Sequence, residues 1–66
     1  NRYYTKFNGN RDKLMGELKQ ILKDNPESDG IIIVDDCPME LVTEIISIRD
    51  KYNNLFRLIF AHHDYF

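Results

Sequence analysis

Tryptophan is absent from these 66 residues, cysteine occurs once, proline twice and glycine three times. With no tryptophan, no disulfide and no cysteine pair for structural zinc, the chain must fold on aliphatic and smaller aromatic side chains alone. The lone Cys37 excludes an internal disulfide framework and fits a reducing compartment, so a cytoplasmic setting is expected. Long apolar runs are missing too: Ile31 to Val34 and Leu58 to Ala61 are far too short to span a membrane. Neither sign of charge dominates. Eleven acids against nine bases leave a net charge of −2, which excludes a polybasic nucleic-acid arm. No signal-peptide leader, repeat, low-complexity tract or interdomain linker is expected.

What is present is 42% hydrophobic and 30% charged residues, the balance of one small folded domain over 1–66 rather than a disordered tail. At this length a single core rarely supplies more than about 3–5 kcal/mol. Part of the core is therefore expected to be shared with another chain.

Along the chain, Arg2 to Phe7 reads as a half-exposed edge strand, with Tyr3, Thr5 and Phe7 alternating against Arg2, Tyr4 and Lys6. Asn8-Gly9-Asn10 ends it. A helix follows from Arg11 to Asp24, because Leu14, Met15, Leu18, Ile21 and Leu22 fall on one helical stripe. Asn10 suits its N-cap and Asn25-Pro26 its stop, while Gly16 is expected to mark a close approach to the sheet. Ile31 to Val34 shows no alternation, as a strand covered on both faces should. Pro38 fits the first turn of a second helix, capped by Asp36 or Cys37. Leu41, Val42, Ile45, Ile46, Ile48 and Tyr52 form its wide apolar stripe, and Asn53-Asn54 closes it. Leu55 to Ala61 is the third strand, apolar on both faces apart from Arg57, and a tail of His62-His63-Asp64-Tyr65-Phe66 follows.

The result is an α/β fold, a β-α-β-α-β unit with a three-stranded, mainly parallel sheet. A central first strand would put one helix on each face. The first strand is the most polar and the second is apolar on both sides, so order 1-2-3 is preferred, with both helices on one face. The other face is then bare. Depending on register it shows Ile31 and Ile33 or Ile32 and Val34, and from the third strand Phe56, Leu58 and Phe60 or Leu55, Ile59 and Ala61. So large an apolar patch implies a partner protein or a homodimer, with Phe56, Leu58 and Phe60 as anchors and Tyr4 and Arg57 at the rim. The function expected is that of a non-enzymatic protein-interaction module, a small regulator, inhibitor or adaptor, binding through this face or the stripe of the second helix.

The alternative is chemistry at the carboxyl edge of the sheet, where ligands of open parallel sheets bind. Asp35, Asp36, Cys37, His62 and His63 gather there. Asp35, Asp36 and His62 are candidate ligands of a divalent metal, although no local Cys-x-x-Cys or His-x-x-x-His pattern supports them. Cys37, at a strand-to-helix junction, is a candidate reactive thiol, and Cys37-Pro38 resembles the thiol motif of glutaredoxin-like proteins without its second cysteine. Ile31 to Pro38, with the helix after it, Ala61 and Asp64, resembles the start of a response-regulator receiver domain. Through that resemblance Asp35 and Asp36 become magnesium ligands, while the receiver's third-strand phosphoacceptor and fifth-strand lysine have no counterpart. Asn8-Gly9-Asn10 before a helix could seat an anion but lacks a phosphate-loop lysine. Arg2, Tyr3, Tyr4 and Lys6 form a basic and aromatic strand that the net negative charge turns away from nucleic acid. No complete catalytic set, cofactor motif or membrane segment is read.

Overall fold

The computed structural model describes residues 2–52 and 55–62. The expected helix closure at Asn53-Asn54, and His63 and Asp64 with the rest of the tail, lie outside the described residues.

The elements run β1 (Arg2–Lys6), α1 (Arg11–Asp24), β2 (Ile31–Asp35), α2 (Met39–Asp50) and β3 (Arg57–Ala61). All three strands are parallel and stand in the order β1-β2-β3, with both helices on one face. Tyr4, Ile33 and Ile59 are in register across the sheet, as are Thr5, Val34 and Phe60. The backbone ladder continues past the strands: Phe7 N–H donates to the Asp35 carbonyl at 2.9 Å, and Asp36 N–H to that of Ala61 at 2.9 Å.

Local chemistry sets α1. The Asn10 side chain accepts from Lys13 N–H at 3.1 Å, Asp12 lies in the positive first turn and Lys23 in the negative last one. At its far end Asn25 donates to the Ile21 carbonyl at 2.8 Å and accepts from the Tyr3 hydroxyl at 3.1 Å, tying the helix stop to β1. Gly16 departs from expectation. It is exposed, and a Cβ there would meet nothing within 4 Å, so no close approach requires it.

The start of α2 also departs. Neither Asp36 nor Cys37 caps it; Pro38 holds the N-cap position in extended conformation (φ −61°, ψ 146°) without a side-chain bond. The reason lies one step earlier. Asp36 adopts φ 55° while its N–H extends the ladder to Ala61, so the turn is used in leaving the sheet and the helix begins only at Met39. The third strand likewise begins at Arg57, two residues later than its apolar run.

The core fills the space between sheet and helices. Leu14, Met15, Leu18 and Leu22 from α1, Ile32 and Val34 from β2, Leu41 and Ile45 from α2, and Cys37 and Phe56 are buried. Tyr3 meets Phe56 edge to face at 5.9 Å. Among the described residues no helix is long and apolar enough to cross a membrane.

Candidate functional site

Strand alternation sorts the sheet into two chemically different faces. Tyr3, Thr5, Ile32, Val34, Leu58 and Phe60 turn to the helices, and Thr5 Oγ1 there donates to the Glu17 carboxylate at 2.6 Å. The opposite face has three rows: Arg2-Ile31-Arg57, Tyr4-Ile33-Ile59 and Lys6-Asp35-Ala61. No element of the described residues covers it. Tyr4 is 61% exposed and Ile59 41%, and Ile31 and Ile33 are half-buried between them.

This reverses the anchors expected on β3. Phe56 is 2% exposed and belongs to the core, and Leu58 and Phe60 pack against that core from the helix side. Their parity on the strand is that of Ile32 and Val34, so burying them leaves Arg57, Ile59 and Ala61 outward. Tyr4 and Arg57, expected at the rim, do lie on the open face. Both registers are open to the apolar run alone, and the signal that distinguishes them is the charge at Arg57, two residues from Ile59. The stripe of α2 is also largely used in the core, where Leu41 and Ile45 are buried and Val42, Ile48 and Tyr52 partly so.

The open face is electrically uneven. The chain has four arginines. Arg11 pairs with Glu44 across the helices, and Arg49 with Asp50 at 3.0 Å. Among the described residues no carboxylate stands within ion-pair distance of Arg2 or Arg57. At the other end the Tyr4 hydroxyl donates to Asp35, and Lys6 lies 3.7 Å from Asp36. The hydrogen bond to Asp35 raises the Tyr4 phenol above its ordinary value, with desolvation and the charges of Asp35 and Asp36 adding to it.

The carboxyl edge offers less than its residue types promise. Asp35 is buried, at 4% exposure, under Tyr4; Asp36 is engaged with Lys6; His62 is exposed. Among the described residues no three metal-competent side chains converge. Cys37 is 1% exposed, its Sγ–H donating to the Pro38 carbonyl at 3.5 Å, and burial together with the Glu40 charge raises its pKa. That is the opposite of an activated thiol. The hollow beside Asn8 and Asn10 holds about 10 Å³, room for roughly one water. Among the described residues, those lining a larger hollow of about 360 Å³ are Arg49, Asp50, Tyr52, Leu55 and Phe56, and they include no nucleophile paired with a base.

No protein-family model, curated protein or solved structure matches the chain.

Proposed function

We propose that the protein is a non-enzymatic interaction module, a small regulator, inhibitor or adaptor, that binds a protein partner through the open face of its sheet. One observation carries this reading: among the described residues, nothing covers the apolar row of Tyr4, Ile33 and Ile59, and the two arginines beside it have no acidic partner. Aromatic and arginine side chains flanking an apolar centre are the composition of binding hot spots. Three strands about 4.8 Å apart, each five residues long at about 3.3 Å per residue, span a plane of about 240 Å². Even doubled for side-chain relief, that stays below the roughly 800 Å² per partner of a standard stable interface. The homodimer expected from the sequence would therefore be weak if it used this face alone. The metal- or thiol-dependent alternative draws no comparable support, since Cys37 is buried and Asp35 and Asp36 are already engaged.

Adjacent positions on β3 provide the test. Ile59→Asp should cost less than about 1 kcal/mol, the span of strand propensities, because its side chain faces away from the core. Phe60→Asp, one residue along, should abolish folding by placing an unpaired charge against the core. Thermal melts followed by circular dichroism separate the two. Equal loss of stability in both variants would mean that the open face holds the fold together and is not a binding surface.

A further inference from the structure

We infer that the free edge of β3 pairs antiparallel with the β3 of a second copy of the chain, joining two three-stranded sheets into one of six strands. The inference goes beyond the interaction reading above, because it uses the edge of the sheet and not its open face.

Backbone direction comes first. In a parallel pair every second residue turns both its N–H and its C=O toward the neighbouring strand. Arg57 N–H donates to the Gly30 carbonyl, and the Ala61 carbonyl accepts from Asp36 N–H, both at 2.9 Å. Arg57, Ile59 and Ala61 therefore turn their backbone groups to β2, and Leu58 and Phe60 turn theirs to the outer side. Among the described residues no strand lies there, and neither Leu58 nor Phe60 has a hydrogen bond on that side. An apolar edge with free N–H and C=O groups is a template for another strand.

Register names the occupant. Only one antiparallel register overlaps all five residues of β3 with their copies. It sets Ile59 opposite itself on a two-fold axis and Leu58 opposite Phe60 of the second copy, so every outward N–H of the two strands meets a carbonyl. Arg57 then faces Ala61, and no like charges meet. The other edge behaves differently. Phe7 N–H donates to the Asp35 carbonyl, so Arg2, Tyr4 and Lys6 turn their backbone groups outward from β1. The same full overlap of β1 with its copy sets Arg2 opposite Lys6 twice, and like charges directly opposite are destabilising. One edge is guarded against self-pairing and the other is open to it.

The helix layer agrees. On α2, Glu44 reaches Arg11 of α1, while Arg49, about 140° round the helix, donates to the Phe56 carbonyl just ahead of β3 at 3.4 Å. Val42 and Ile46 lie on that same flank, away from α1, and Ile46 is 37% exposed. A two-fold axis at Ile59 brings this flank toward its copy and adds apolar contact to the edge pairing. The joined sheet has twice the open face of one chain, its Tyr4-Ile33-Ile59 row running on into the second copy.

The chain is short enough for total synthesis, so single backbone amides can be methylated to test this. In sedimentation equilibrium over a dilution series, the unmodified protein should pass from the 7.9 kDa chain mass to twice that value. N-methylation of Leu58 removes one hydrogen bond on each side of the axis and should weaken the dimer by at least about thirtyfold, with the circular dichroism of the fold kept. N-methylation of Lys6, on the outer edge of β1, should leave the dimer unchanged. Ile59→Cys tests the register independently. Mild oxidation should link two copies there, because opposed residues that share no hydrogen bond stand about 4.5 Å apart at Cα, within disulfide reach. Should methylated Leu58 fail to fold, this crosslink alone decides. A protein monomeric at every concentration would overturn the inference and leave the open-face reading untouched. A dimer that ignores Leu58 methylation and does not crosslink at Ile59 would overturn it too; if Ile33→Asp dissociates that dimer, the contact lies on the open face instead.

Discussion

Ile32 and Ile33 are chemically identical neighbours on one strand, yet they belong to different regions of the molecule. Ile32 is fully buried among α1, α2 and Phe56; Ile33 lies half-buried in the row between Tyr4 and Ile59. The same contrast holds for Phe60 against Ile59 and for Thr5 against Tyr4. A strand's period of two forces the division. One face is mostly apolar and buried, and Thr5 there donates to the Glu17 carboxylate. The other is apolar at its centre and charged at both ends. Core packing asks only for volume and shape, so charges ordered along the strands on the second face call for a purpose outside the core.

The sharpest way to break this comparison is to truncate both isoleucines. Ile32→Ala should cost about 2–5 kcal/mol, the range for fully buried aliphatic side chains, which in so small a domain leaves little or no folded protein. Ile33→Ala should cost well under half of that, because part of its surface already meets water. Chemical denaturation of both variants checks it; equal losses would show that the open face is as structural as the covered one. Next in size is the cap that starts the covering layer. Asn10→Ala removes the acceptor for Lys13 N–H and should cost about 1 kcal/mol, seen as a lower denaturation midpoint. Gly16→Ala should act in the opposite direction, adding up to about 1 kcal/mol, since the position is helical, exposed and free of steric conflict. A loss at Gly16 would restore the close approach that the geometry denies.

Much of this architecture is legible in the amino-acid sequence. The Leu14-Leu18-Leu22 stripe with Asn10 before it and Pro26 after it places α1 at Arg11–Asp24, and the polarity of β1 against the apolar β2 points to the strand order. What the sequence conveys only faintly is parity on β3. Leu55 to Ala61 is apolar at every position but Arg57, so alternation is faint there and the charge at Arg57 is the one mark of the parity that turns Phe56 and Phe60 inward. The carboxyl edge misled for a related reason. Residue types that suit a metal or a reactive thiol were visible, but the burial of Cys37 and the engagement of Asp35 by Tyr4 depend on contacts about 30 residues apart in sequence. The start of α2 was misplaced because a left-handed Asp36 cannot be read from a residue that is also a good cap.

Proton linkage gives the smallest effect and the finest contrast between the two faces. Tyr4 on the open face and Cys37 under the helices both have raised pKa values, the first chiefly by its bond to Asp35 and the second chiefly by burial. In each case the protonated form is the one the fold favours. The stability it contributes is complete below the group's ordinary pKa and is lost as pH rises through that value toward the raised one. The thiol ordinarily titrates near 8.5 and the phenol near 10, so the loss should begin in the thiol's range and steepen in the phenol's. Tyr4→Phe should remove only the upper part, because it leaves Cys37 untouched, and Cys37→Ala should remove only the lower part at a separate cost in packing. Denaturation midpoints measured from pH 7 to pH 11 would resolve the two steps. If Tyr4→Phe left the upper step intact, the phenol would not be held by Asp35, and Tyr4 would be free to turn toward a partner without first giving up that bond.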